Sequence, residues 1–262
     1  MKRKREEARR KKGEVRRKKQ EVRNMEYKIK INGGGVMKRC ILIISMTCFL
    51  EFLIWGCTYS QTSADTLYKQ NRNYTIQTEL YNIYKTEKAD VVMLGNSITF
   101  GVNWNELMAR TQIVNRGIGS DNTVGFLQRM EYIYKLHPQL CCIMGGINDI
   151  YQDASAEKIF ENYKKIIEGL QAHTIVPIIQ STLFVSTKWR RYAEKNLEVA
   201  KLDSMLAEYA RFKGIEFVNL NAVMSKDHLL LEELTTDGVH LNAKGYALWR
   251  DELEKILKKH GV

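Results

Sequence analysis

The sequence predicts an α/β fold, a three-layer α/β/α sandwich built around a parallel sheet. Five short apolar runs, at 89–95, 112–118, 139–144, 174–180 and 215–220, are too short for helices and close on turn-forming residues. Between most of them lie segments of 12 or more residues with apolar positions spaced by three and four. Unbroken apolar strands are those covered on both faces, and strands that alternate with helices run parallel because each return needs a crossover.

The elements follow in order. Tyr74 to Lys88 carries Leu80, Tyr81 and Tyr84 in a weak helical pattern beside the first strand, Ala89 to Gly95, which runs into a turn holding Asn96 and Ser97. Trp104 to Ala109 reads as a short helix. Gln112 to Ile118 is a second strand ending in the turn Gly117-Ile-Gly-Ser-Asp121. Asp121 or Asn122 caps the next helix, whose stripe is Val124, Leu127, Met130 and Tyr134. Gln139 to Met144 is the third strand, in which Cys141 and Cys142 point to opposite faces and read as small core residues, not as a disulfide. Helix Ala156 to Leu170 lines up Ile159, Tyr163, Ile166 and Leu170. Thr174 to Gln180 is a fourth strand in which Pro177 implies an edge or irregular position. Arg191 to Phe212 is a helix with Val199, Leu202, Leu206 and Tyr209 in line, and Ile215 to Leu220 is the fifth strand. The last helix, Ala243 to Lys258, places Tyr246, Trp249, Leu253 and Ile256 on a core face.

A formal charge of +11 would favour nucleic acid or an anionic membrane as partner if it covered the folded surface. It does not. Residues 1–39 hold 17 of the 41 Lys and Arg but 5 of the 30 Asp and Glu, so the remainder stands at 24 against 25. A nucleic-acid partner is therefore excluded as an expectation.

The chain divides into four stretches. Residues 1–36 are a charged leader, too poor in apolar residues to fold alone and expected to be disordered or loosely helical. Residues 37–57 read as a secretory signal, a basic start followed by the apolar run Ile41 to Leu50, with Glu51 arguing against a stable membrane span. Ile54-Trp-Gly-Cys57 looks like a bacterial lipobox, which would leave Cys57 lipidated. A signal acts from the N-terminus, so translation is expected to begin at Met37; a signal-anchor with a basic cytoplasmic tail is the alternative. Residues 58–87 are a polar linker and lead-in helix, and 88–262 the folded domain. The expected location is export, to the periplasm or to a membrane-anchored lipoprotein, with the membrane met only through that signal or anchor.

Chemistry concentrates in four places: Gly95-Asn-Ser97, Asn115-Arg-Gly-Ile-Gly-Ser-Asp121, Gly146-Ile-Asn-Asp149 and Asp237-Gly-Val-His240. A serine hydroxyl needs a neutral imidazole to take its proton and a group to hold that imidazole. Among the His residues at 137, 173, 228, 240 and 260, only His240 has an acid three residues before it in such a motif. Asp237 can reach its Nδ1–H across a turn that Gly238 permits. Neither a zinc spacing nor a dinucleotide fingerprint is present, so no cofactor or metal is expected.

In this order the four motifs resemble the SGNH hydrolases, also called the GDSL family of esterases and lipases, over roughly Asp90 to Leu257. The resemblance implies a flavodoxin-like five-stranded sheet in the order 2-1-3-4-5. It implies Ser97 as nucleophile with Asp237 and His240. It also implies an oxyanion hole from the backbone N–H of Ser97, a backbone N–H in the second motif, and the side-chain amide of Asn148. This chain departs from the family twice. Ser120 stands at the usual glycine, so the second donor is the N–H of Ser120 or, as second choice, of Gly119; Asn96 replaces the usual aspartate and is expected to be structural.

Three functions are compatible with these residues. An exported serine esterase would remove a short acyl group, acetyl above all, from a small-molecule or glycan ester. An acyltransferase or lysophospholipase would use the same chemistry, and a glycan-binding protein would keep only the fold. The one candidate lid, Leu183 to Arg191, is short and carries Trp189 beside two arginines, which favours a polar substrate.

Overall fold

The computed structural model describes residues 16–24 and 66–262. The first stretch is an exposed helix in which Arg17 Nε lies 3.3 Å from Glu21 Oε1. The expected signal at 37–57, Met37 and the lipobox Cys57 lie outside the described residues.

In the second stretch five parallel strands, β1 (Val91–Gly95), β2 (Ile113–Gly117), β3 (Leu140–Met144), β4 (Val176–Gln180) and β5 (Glu216–Val218), form one sheet. Their order is β2-β1-β3-β4-β5, as the resemblance implied. Every residue of β1 and β3 is buried, which requires helices on both faces and explains why these strands read as unbroken apolar runs. The long helices are α7 (Ala156–Ala172), α8 (Tyr192–Lys213) and α10 (Ala243–Lys259). The expected stripes of α7 and α10 are buried except for half-buried Tyr246.

Pro177 lies inside the sheet order yet at a local edge. It is level with Cys141 of β3, whereas β5 pairs with β4 only from Ile178 onward. The Val176 N–H turns toward β3, onto the Gln139 carbonyl, so the N–H that proline lacks would have faced the unpaired side.

The short helix α3 (Trp104–Met108) forms where expected, whereas three elements differ from expectation. The lead-in helix α1 is Arg72–Ile83 and buries only Tyr81, while Tyr84 is exposed. The helix expected after the second strand is two short ones, α4 (Thr123–Leu127) and α5 (Glu131–Tyr134), and its inward residues are Phe126, Arg129, Met130 and Ile133. The stripe is displaced because a buried guanidinium, Arg129, turns inward. The fifth strand is three residues long, because beyond Val218 the chain turns into helix α9 (Asn221–Met224).

Candidate active site

Gly95 ends β1 level with Gly117 of β2 and Met144 of β3. Ser97, the Gly119–Ser120 turn and Asn148 therefore leave three adjacent strands at one end of the sheet, the carboxyl end where parallel sheets bind ligands. A Cβ on Gly95 would meet Thr99 Oγ1 at 1.9 Å and the Met144 carbonyl at 2.7 Å. Only glycine allows helix α2 (Ser97–Phe100) to fold back this tightly, with Ser97 at its first position. Asn96 is structural, as expected: fully buried, it caps α2 by accepting from the Ile98 N–H at 2.9 Å.

His240 arrives from the turn before α10. Its Nε2 is 3.0 Å from Ser97 Oγ, and its Nδ1 is 2.6 Å from Asp237 Oδ2. The other oxygen, Oδ1, accepts the N–H of Val239 at 2.9 Å and of His240 at 2.8 Å. Partial burial works to raise the Asp237 pKa, but the hydrogen bonds from the imidazole and from these two N–H groups outweigh it and hold the carboxyl below its ordinary value. Gly238 takes φ 95, closed to other side chains, and its carbonyl accepts the Ser186 N–H at 2.8 Å. The one candidate lid, Leu183 to Arg191, is thus a foundation as far as Ser186. Its residues through Ser186 are buried, and a Cβ on Gly238 would strike Ser186 Oγ at 2.9 Å.

Asn148, in the first turn of helix α6 (Ile147–Tyr151), donates from Nδ2 to the Asp121 carbonyl at 2.8 Å. An amide has two N–H bonds, so one is left for a ligand. Ser120 sits at φ 59 in the neighbouring turn, the left-handed conformation that suits a glycine at that place. The carbonyl of Gly119 is taken by Asn71 Nδ2 at 2.8 Å. Next to Asn148, Asp149 is buried and accepts from the Thr123 N–H and hydroxyl; burial pushes its pKa up to about 7 despite those bonds.

Several residues around the site escaped the sequence reading. Arg129, fully buried, pairs with Asp121 at 2.7 Å and donates to the carbonyls of Arg116 and Gly95, tying together the ends of β2 and β1. Thr235 clasps the Asp–His turn, its hydroxyl donating to the His240 carbonyl at 2.7 Å and accepting the Gly238 N–H at 2.9 Å. Tyr246, read as core, donates its hydroxyl to the Ile98 carbonyl at 2.7 Å and so pins α2 from α10. The sequence carries little signal for these roles, since apart from Asp121 the partners are backbone atoms, either remote in the chain or in a turn whose shape is unknown beforehand.

The chain is 23% identical over 202 residues to the N-acylneuraminate cytidylyltransferase of Streptococcus agalactiae serotype III, with 73% of this chain matched. It spans about half, 46%, of the length of that relative. The isoamyl acetate-hydrolyzing esterase of Saccharomyces cerevisiae is 26% identical over 171 residues, 59% of this chain and 72% of that protein. The crystal structure of a GDSL-like lipase from Bacteroides thetaiotaomicron superposes with a TM-score of 0.63 at 25% identity, covering 72% of this chain and 98% of that one. The GDSL-like Lipase/Acylhydrolase family model matches residues 93–248, more than half of the chain, and the protein belongs to that family.

Proposed function

We propose that this protein is a serine esterase that hydrolyses short-chain acyl esters, acetyl esters of carbohydrates above all, and that it acts after export. The observation that carries the chemistry is the unbroken line Ser97 Oγ, His240 Nε2, His240 Nδ1, Asp237 Oδ2, with links of 3.0 and 2.6 Å. Ser97 Oγ attacks the ester carbonyl as its proton passes to Nε2. The tetrahedral oxyanion is met by the N–H groups of Ser97 and Ser120 and the free amide hydrogen of Asn148. His240 then protonates the leaving alcohol. Water, deprotonated by His240, attacks the acyl-enzyme and releases the acid and Ser97.

Membership of an acylhydrolase family and a relative that hydrolyses an acetate ester support the reaction and the short acyl group. A relative that takes an acylated sugar, N-acylneuraminate, supports a carbohydrate alcohol. The apolar run before Cys57 supports export. A fluorophosphonate probe is expected to label the chain once, and Ser97→Ala to abolish labelling; persistent labelling would move the nucleophile elsewhere. In an acyl series p-nitrophenyl acetate is expected to react much faster than the octanoate, since a pocket without room discriminates by about 1–3 kcal/mol per methylene. Rates that rise with chain length would replace this reading with a lipase or lysophospholipase.

A further inference from the structure

The peptide between Gly119 and Ser120 has two ways to stand. Ile118 to Asp121 form a turn closed by the Asp121 N–H on the Ile118 carbonyl at 3.2 Å. Turns of types I and II share nearly the same chain path and differ by a flip of the middle peptide. Ser120, third in the turn, has φ 59, whereas Gly119 is not at positive φ, which makes this the type II form. That form asks for glycine at the third position. A serine there, with its Cβ against the following carbonyl, is biased toward type I.

The bias matters because the C=O and N–H of a trans peptide point in opposite directions. In the type I form the Ser120 N–H would swing away and the Gly119 carbonyl oxygen would take its place. A carbonyl dipole aimed at a developing oxyanion opposes catalysis.

The lead-in segment meets this bias directly. Asn71 Nδ2 donates to the Gly119 carbonyl at 2.8 Å, and Asn73 Nδ2 approaches the same oxygen at 3.4 Å. Tyr81 of α1 adds a 3.4 Å bond from its hydroxyl to the Gly117 carbonyl. Asn71 is itself held: it is the N-cap of α1, its Oδ1 accepting the Asn73 N–H at 3.0 Å, which turns Nδ2 toward the turn. All three residues precede the family-matched stretch, 93–248. We propose that Asn71 is a positioning residue for the oxyanion hole: by holding the Gly119 carbonyl on the lead-in side, it keeps the Ser120 N–H turned toward the nucleophile. This rests on the esterase reading above. The substitution of serine for the family's usual glycine and the asparagine at 71 form a compensating pair.

The test is Asn71→Asp in the full chain. Aspartate keeps an oxygen for the helix cap and replaces the donor to Gly119 with an acceptor. With p-nitrophenyl acetate, kcat is expected to fall about tenfold or more, up to the roughly hundred- to thousandfold loss that removal of an oxyanion donor causes, while KM is little changed. In a Ser120→Gly background the same Asn71→Asp change is expected to reduce kcat by less than about threefold, because glycine holds positive φ unaided. An unchanged kcat in Asn71→Asp, or an equal loss in both backgrounds, overturns the proposal. A crystal structure of Asn71→Asp reads the peptide itself: a flipped Gly119–Ser120 peptide is expected, and an unmoved one overturns the proposal whatever the rate. If the wild type cleaves no ester and Ser97→Ala changes nothing, the esterase reading has failed, while the crystal structure still decides the peptide.

Discussion

Asp237 uses its two oxygens for separate tasks. Oδ1 shapes the turn by accepting two backbone N–H groups, and Oδ2 alone holds the imidazole. Asp237→Asn keeps an oxygen for the first task and presents an NH2 group to Nδ1, which forces the wrong imidazole tautomer. The fold and melting temperature are expected to persist while kcat drops by roughly 10³–10⁴-fold. Near wild-type turnover would mean that Asp237 only shapes the loop. The same division of labour accounts for Asn96, where an asparagine caps α2 through its oxygen as the family's aspartate would. The spare amide nitrogen is buried without a partner.

At the scale of elements, a charge inside the protein connects the loops of the site. Arg129, on the link between α4 and α5, joins Asp121 to the ends of β1 and β2, and both side chains of the ion pair are fully buried. Burial pushes the Asp121 pKa up while the guanidinium beside it pulls down. Removing one member of such a pair strands the other in a low dielectric. Arg129→Met is therefore expected to destabilise the protein by about 3–5 kcal/mol in urea unfolding. The double variant Asp121→Asn with Arg129→Met is expected to recover part of that loss. A loss below about 1 kcal/mol for the single variant would show that the pair is not what holds this end of the sheet.

Across the whole molecule, half-buried Asp203 and buried Asp149, besides the ion-paired Asp121, are carboxyls that make stability depend on pH. Asp203 of α8 accepts from the Thr182 N–H and from Asn221 Nδ2, and burial pushes its pKa up to about 8 against those bonds; Asp149 is pushed up to about 7. A carboxyl raised on folding keeps its proton in the folded chain after the unfolded chain has lost it. Its stabilising effect is thus complete below the unfolded value of about 4 and is lost as pH rises toward about 8. Urea midpoints are expected to fall from pH 5 to pH 8.5. Asp203→Asn is expected to shrink the fall by an amount on the order of 1–3 kcal/mol. An equal fall in both proteins would assign the dependence to other groups.

The sequence by itself determined the strands and the pairing of Asp237 with His240, and through the resemblance it pointed to Ser97. Five apolar runs and their helical partners carry a local periodicity, and Asp237 and His240 are three residues apart, close enough for one turn to join them. The 2-1-3-4-5 order and the oxyanion donors came from resemblance rather than from periodicity. What only the tertiary structure decided was everything that depends on atoms distant in the chain. Arg129 looks like a surface residue until the carbonyls of Arg116 and Gly95 are brought to it. Leu183 to Arg191 looks like a lid until Gly238 is laid on Ser186. Asn71 looks like part of a polar tether until the turn 48 residues later places its carbonyl in reach. A side chain's periodicity is a property of its own helix or strand, whereas the direction of a peptide N–H is set by whatever grips the carbonyl beside it.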